Sequence, residues 1–197
     1  MQKGKFVTAL YRLLLTLAVG EALLVLVSWL LSAMMVDGVR SLLSSEGVRW
    51  FVGDFSEVLS TPMLVNLLLI AMSGGCLWRS GLLSRKQSLR DKTARRAVIV
   101  FLFVYILVVM MLIALPHAVL LSATGQLWPS PFSRALILIM SLGTLLSAAV
   151  YGIMSGRFSS VYALLDSLAF GIAQTAPLLM LYFVATVFYA SLRFVCL

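Results

Sequence analysis

SSEGVRWFVGDFSEVLSTPMLVNLLLIAMSGGCLWRSGLL, residues 44–83, is the stretch from which the rest of the chain can be read. Val48, Phe51, Val52, Phe55, Val58 and Leu59 recur at helical spacing, while Arg49, Asp54 and Glu57 take other faces. With Trp50 placed as an anchor, this pattern predicts an amphipathic helix over 48–60 that lies on a membrane instead of crossing it. Thr61 then reads as an N-cap and Pro62 as the first residue of a new helix. Residues 62–78 are apolar enough to cross a bilayer, and Arg79-Ser80-Gly81 marks the exit. Ser73-Gly74-Gly75 gives that span a small-residue face suited to close helix packing.

The composition agrees. Of 197 residues, 62% are hydrophobic and 11% charged, against about a quarter charged in a soluble domain. The chain therefore predicts an all-α, polytopic integral membrane bundle of roughly five or six membrane segments, built as a single membrane domain with the lipid bilayer as its partner. No length is left for a soluble catalytic domain. The net charge of +8 is concentrated at the N-terminus and in the loop 79–96, as expected of cytoplasmic segments, and does not call for nucleic acid. Cys76 and Cys196 show no metal or redox spacing.

Outward from the opening stretch, the first span is expected over 13–36, with Lys3, Lys5 and Arg12 before it holding the N-terminus in the cytoplasm. Its basic start and apolar run resemble a signal peptide, but the run is too long, and it reads as an uncleaved span. Glu21 falls about 12 Å into this helix at 1.5 Å per residue. An acid at that depth is either a proton-coupling group or a neutral or Arg-paired side chain facing protein.

After the basic loop, residues 97–133 carry no formal charge. A span over 97–121 is interrupted by Pro116-His117. The segment fits either one crossing kinked at Pro116 or a hairpin that returns inside at Arg134, and counting basic residues favours neither. His117, the single histidine, could shuttle protons or bond neighbouring backbone. A further span covers 135–156, with Gly143, Ser147, Ala148 and Gly152 as small faces. The last segment, 161–197, would measure roughly 50 Å as one helix, too long for a core of about 30 Å. A break is expected between Gly171 and Pro177, leaving a broken segment 161–176, a polar elbow and a span over 177–195.

Five stretches of the chain are similar to one transporter family. Ser45-Glu46-Gly47-Val48-Arg49-Trp50, Leu67-Leu68-Leu69-Ile70-Ala71-Met72 and Ser80-Gly81-Leu82-Leu83 come first. Ser155-Gly156-Arg157-Phe158-Ser159 follows, and then the run from Leu165-Asp166-Ser167 to Gly171-Ile172-Ala173-Gln174. In order and spacing these resemble the N-terminal half of the AbgT family, the p-aminobenzoyl-glutamate transporters. The resemblance implies a bacterial inner membrane protein and one of the two inverted repeats from which that family builds its pathway. It places Asp166 near the substrate path or the proton-coupling machinery, with Ser167, Gln174 and Thr175 as substrate-path candidates. The family's first hairpin carries a polar S-N-x-x-S-D-type tip; here 107–114 reads LVVMMLIA, without a polar side chain.

Two functions follow as expectations. One is a half-size transporter that completes its pathway as a homo-oligomer or with a separate partner, moving an anionic or aromatic small molecule with proton coupling through Asp166, Glu21 or His117. The other is a transport-inactive scaffold or subunit of a membrane complex. No nucleophile–base pair, metal cluster or phosphate loop is visible in the sequence, so neither an enzyme nor a bound cofactor or metal is expected.

Overall fold

The interfacial helix starts where Ser44 caps it: the Ser44 hydroxyl accepts from the Gly47 amide at 3.1 Å, in extended backbone geometry. It ends at Ser60, whose amide bonds back to Ser56. These two ends fix a helix of 15 residues, about 22 Å long and too short to cross a bilayer.

The computed structural model describes residues 2–36, 38–84, 89–114 and 131–196. Six helices follow in order: α1 Gln2–Ala33, α2 Ser45–Leu59, α3 Pro62–Ser80, α4 Leu89–Ala114, α5 Pro131–Ser155 and α6 Val161–Cys196. There is no strand among the described residues. Among the described residues five helices, all except α2, are long and apolar enough to span a membrane, and the chain is an α-helical, membrane-embedded protein. Pro62 opens α3 as expected. Of the basic stretch 79–96 expected as a loop, residues 79–80 belong to α3 and 89–96 to α4. Pro116 and His117 lie outside the described residues.

One difference from the sequence expectation concerns the last helix. α6 continues without a break for 36 residues, with Pro177 inside it. A proline removes one amide donor, and a membrane helix can keep its course where neighbouring groups satisfy the freed carbonyl. A helix of about 54 Å is accommodated by tilt or by end turns that lie beyond the hydrocarbon.

The chain divides into two units, Met1–Val65 with Thr175–Leu197, and Asn66–Gln174. In the first, the Ser28 hydroxyl accepts from the Leu42 amide at 3.3 Å, and the Arg40 amide donates to the Val195 carbonyl at 3.2 Å. These bonds bring the end of α1, the start of α2 and the end of α6 together. Trp50 stacks on Phe194 (centroids 4.6 Å, 19° between planes), Phe55 meets Phe183 edge-on, and the Thr61 and Tyr182 hydroxyls are hydrogen-bonded.

The second unit is held by small residues. A Cβ at Gly75 would run into the backbone of Gly171 and Ser167, and one at Gly171 into the backbone of Ala71, so α3 and α6 cross backbone to backbone. Cys76, Ala148 and Phe158 form one buried cluster; Ala94, Val98 and Tyr151 form another. α4 and α5 pair antiparallel: the Tyr151 hydroxyl donates to Asp91 at 3.3 Å, and the Tyr105 hydroxyl to the Ile139 carbonyl at 2.7 Å. Arg90 donates to the Met154 carbonyl at 2.9 Å, closing the end of α5, where Gly156 adopts φ 78°, a conformation that only glycine takes without cost.

Candidate functional site

Glu21 stands near the middle of the apolar part of α1, Val7–Ala33, about 18 Å from Ala33 along the helix. Its Oε2 atom is buried and has no hydrogen-bond partner. The Ser191 hydroxyl of α6 is in the same condition, on a side chain only 1% exposed. Both residues line one cavity of about 230 Å³. Its remaining walls are apolar: Val25 of α1, Leu42 and Leu43 of the connection, and Val48 and Phe51 of α2. A carboxylate and a hydroxyl thus face an apolar space roofed by the interfacial helix.

This arrangement has a definite chemistry. The Glu21 oxygen and the Ser191 hydroxyl both lack a partner, so the cavity offers two polar atoms to whatever enters it. Ser191 supplies a second oxygen and a donor at the same cavity, enough to hold a water or the polar end of a small molecule. Among the described residues no group of three or more His, Cys, Asp or Glu is placed to hold a metal ion.

Asp166 occupies a different environment. Its carboxylate is paired with the Arg79 guanidinium, which also lies over the Phe170 ring at 4.8 Å. The two side chains are 66% and 40% exposed, a surface ion pair joining α3 to α6 and not an isolated acid. Ser167 is fully buried, and its hydroxyl donates to the Leu164 carbonyl at 2.6 Å. Gly171 is the contact point with Gly75. Gln174 and Thr175 each have an interaction of their own. His117 and Pro116 fall outside the described residues, and Pro177 is an interior residue of α6.

No protein-family model, no curated protein and no solved structure matches this chain. The stretches that resemble a transporter family therefore have to be understood from their own contacts.

Each of them has a structural role. Ser44 and Gly47 build the start of α2, where a Cβ on Gly47 would strike the Ser41 and Leu42 carbonyls. Gly81, at φ 71°, ends α3, and the Arg157 guanidinium lies over it where a side chain would stand. In Ser155-Gly156-Arg157-Phe158, the glycine ends α5 and the Phe158 ring folds back onto Gly152. Sequence reasoning found Glu21 through its depth in an apolar run. It missed Ser191, because a serine in a small-residue stretch gives no signal, and it missed Arg79 as the partner of Asp166, because 87 positions separate them.

Proposed function

We propose that this chain is a half-size, AbgT-like transport protein of the bacterial inner membrane, with its N-terminus in the cytoplasm. Glu21 would carry the coupled proton, and a second copy or a separate membrane partner would complete the pathway. The observation that carries this reading is the buried, unpartnered Glu21 oxygen on an apolar cavity beneath α2. Intramembrane acids of this kind mark proton and ion routes, because holding the charge there without a partner is costly. The charge pattern supports the orientation. Arg79, Arg90, Lys92, Arg95, Arg96 and Arg157 gather where α3 and α5 end and α4 begins, the positive end of the molecule. With the five helices able to span among the described residues all crossing, the end of α6 then lies outside.

Uptake of p-aminobenzoyl-glutamate into proteoliposomes under an imposed pH gradient tests the proposal. Gradient-driven uptake is expected from the unaltered chain, with a loss of about tenfold or more in Glu21→Gln. Asp166→Asn is expected to retain most of it. Uptake that is unchanged in Glu21→Gln removes the role given to that residue, and absence of uptake in the unaltered chain removes the transport reading.

A second reading is favoured by a separate observation. The family-like residues are engaged in caps, the ion pair and a helix crossing, and the hairpin region 107–114 is apolar. A solute rich in oxygen would leave groups unpaired there, at about 1–3 kcal/mol each. A transport-inactive subunit of a larger membrane complex fits those facts. Purification in mild detergent decides it: a strictly monomeric protein with no companion would leave this reading empty.

A further inference from the structure

The polar side of α2 faces a second feature, which the Glu21 cavity does not use. Glu46, Arg49, Trp50, Gly53, Asp54 and Glu57 follow one another at three- and four-residue intervals or their neighbours, and so share one side of the helix. Together with Ala190, Arg193 and Phe194 from the last turns of α6, they line a cleft of about 810 Å³. The Trp50–Phe194 stack ties the two helices together there. Gly53 leaves room beside it, since a Cβ at that position would meet nothing within 4 Å.

Both signs of charge surround this cleft. Arg40, Arg49 and Arg193 bring guanidinium groups, and Glu46, Asp54 and Glu57 bring carboxylates. Only Arg40 and Glu46 approach each other, at 3.8 Å, with both side chains more than half exposed, so even that pairing is weak. Arg49, Asp54, Glu57 and Arg193 form no ion pair among the described residues. Charges of both signs held around one space, and not satisfied by one another, are complementary to a ligand that itself carries both signs. Location narrows the class. α2 is amphipathic, its other side leaves Val48, Phe51 and Val52 exposed at 51%, 41% and 73%, and Arg193 marks the end of an apolar span. That is the depth of a lipid headgroup.

We propose that the cleft binds the headgroup of a zwitterionic phospholipid with a primary ammonium, a phosphoethanolamine headgroup. Its phosphate oxygens accept from Arg49 and Arg193, and its ammonium donates to Asp54 and Glu57. The acyl chains pass along the apolar side of α2 beside Val52. A purely anionic headgroup would meet three carboxylates, and a choline headgroup has no N–H to donate. The assignment is independent of whether the chain transports anything.

The test is native mass spectrometry of the full chain in detergent, titrated with short-chain phosphatidylethanolamine, phosphatidylcholine and phosphatidylglycerol. Phosphatidylethanolamine is expected to bind about tenfold more tightly than the other two, the scale of one charge-assisted hydrogen bond. Asp54→Asn combined with Glu57→Gln should abolish its advantage over phosphatidylglycerol while phospholipid still binds. Arg49→Gln combined with Arg193→Gln should weaken all three lipids by about tenfold. Helical content is checked in each variant, and single Glu57→Gln replaces any double variant that fails to fold. Equal binding of the ethanolamine and choline lipids, a preference for phosphatidylglycerol in the unaltered chain, or variants without effect would each overturn the proposal. Displacement of bound lipid by equimolar soluble phosphoethanolamine would overturn the lipid assignment in favour of a free solute.

Discussion

At Glu21 a carboxylate oxygen and at Ser191 a hydroxyl are buried without partners beside the same apolar cavity. A buried polar atom left unsatisfied costs about 1–3 kcal/mol, so both positions should gain stability from apolar replacement. Glu21→Leu is expected to raise the midpoint of thermal unfolding in detergent while abolishing any proton coupling, the usual trade between a strained site and its use. A lowered midpoint would mean that the oxygen is satisfied after all. Asp166 behaves differently because its pair with Arg79 is exposed. Asp166→Asn is expected to cost less than about 1 kcal/mol by chemical denaturation, and a larger loss would show that the pair closes the α3–α6 end. At this scale the sequence reveals depth but not company. Glu21 is conspicuous because its neighbours in the chain are apolar, whereas the partners that distinguish a poised acid from a neutralised one come from helices far away in sequence.

For single elements, the crossing of α3 and α6 makes the sharpest prediction. Gly75 and Gly74 are adjacent and chemically identical, but a Cβ at Gly75 would collide with the Gly171 backbone, while one at Gly74 would meet nothing within 4 Å. Gly75→Leu should therefore cost more than about 2 kcal/mol of stability, as overpacked sites do. Gly74→Ala should be neutral or slightly stabilising, because helix propensity improves. Denaturation of the two variants side by side checks this, and equal effects would refute the backbone-to-backbone crossing. Much of this was legible beforehand. Ser73-Gly74-Gly75 announced a packing face, Thr61-Pro62 announced a helix start, and the spacing from Val48 to Leu59 announced α2. Which glycine makes the contact was not legible, since that depends on the rotation of α3 against α6. The continuity of α6 through Pro177 was not legible either: local preference favours a break there, and a membrane helix held by its surroundings need not follow local preference.

For the whole molecule, hydropathy alone conveys the number of spanning helices, while pairing of the ends comes from bonds such as Arg40 to Val195 and Arg90 to Met154. The proposed orientation can be checked with the native cysteines, because Cys196 is exposed and Cys76 buried. In a Cys76→Ser variant, a membrane-impermeant maleimide is expected to label Cys196 in intact spheroplasts; labelling only after permeabilisation would reverse the assignment. Five helices able to span a membrane among the described residues have a consequence for how such a protein is assembled and inherited. An odd number of crossings puts the segment before the first helix and the segment after the last on opposite sides of the membrane. Two copies translated separately are steered by the same basic residues and insert the same way up, so they can be related only by an axis along the membrane normal. Two copies joined head to tail in one gene would instead thread in opposite senses. A pathway with inverted halves is therefore within reach of gene duplication and fusion, whereas one completed by a second free copy would have both halves the same way up. A separate partner that supplied an inverted half would carry its arginines and lysines at the opposite end, and that charge signature is what to look for in a companion protein.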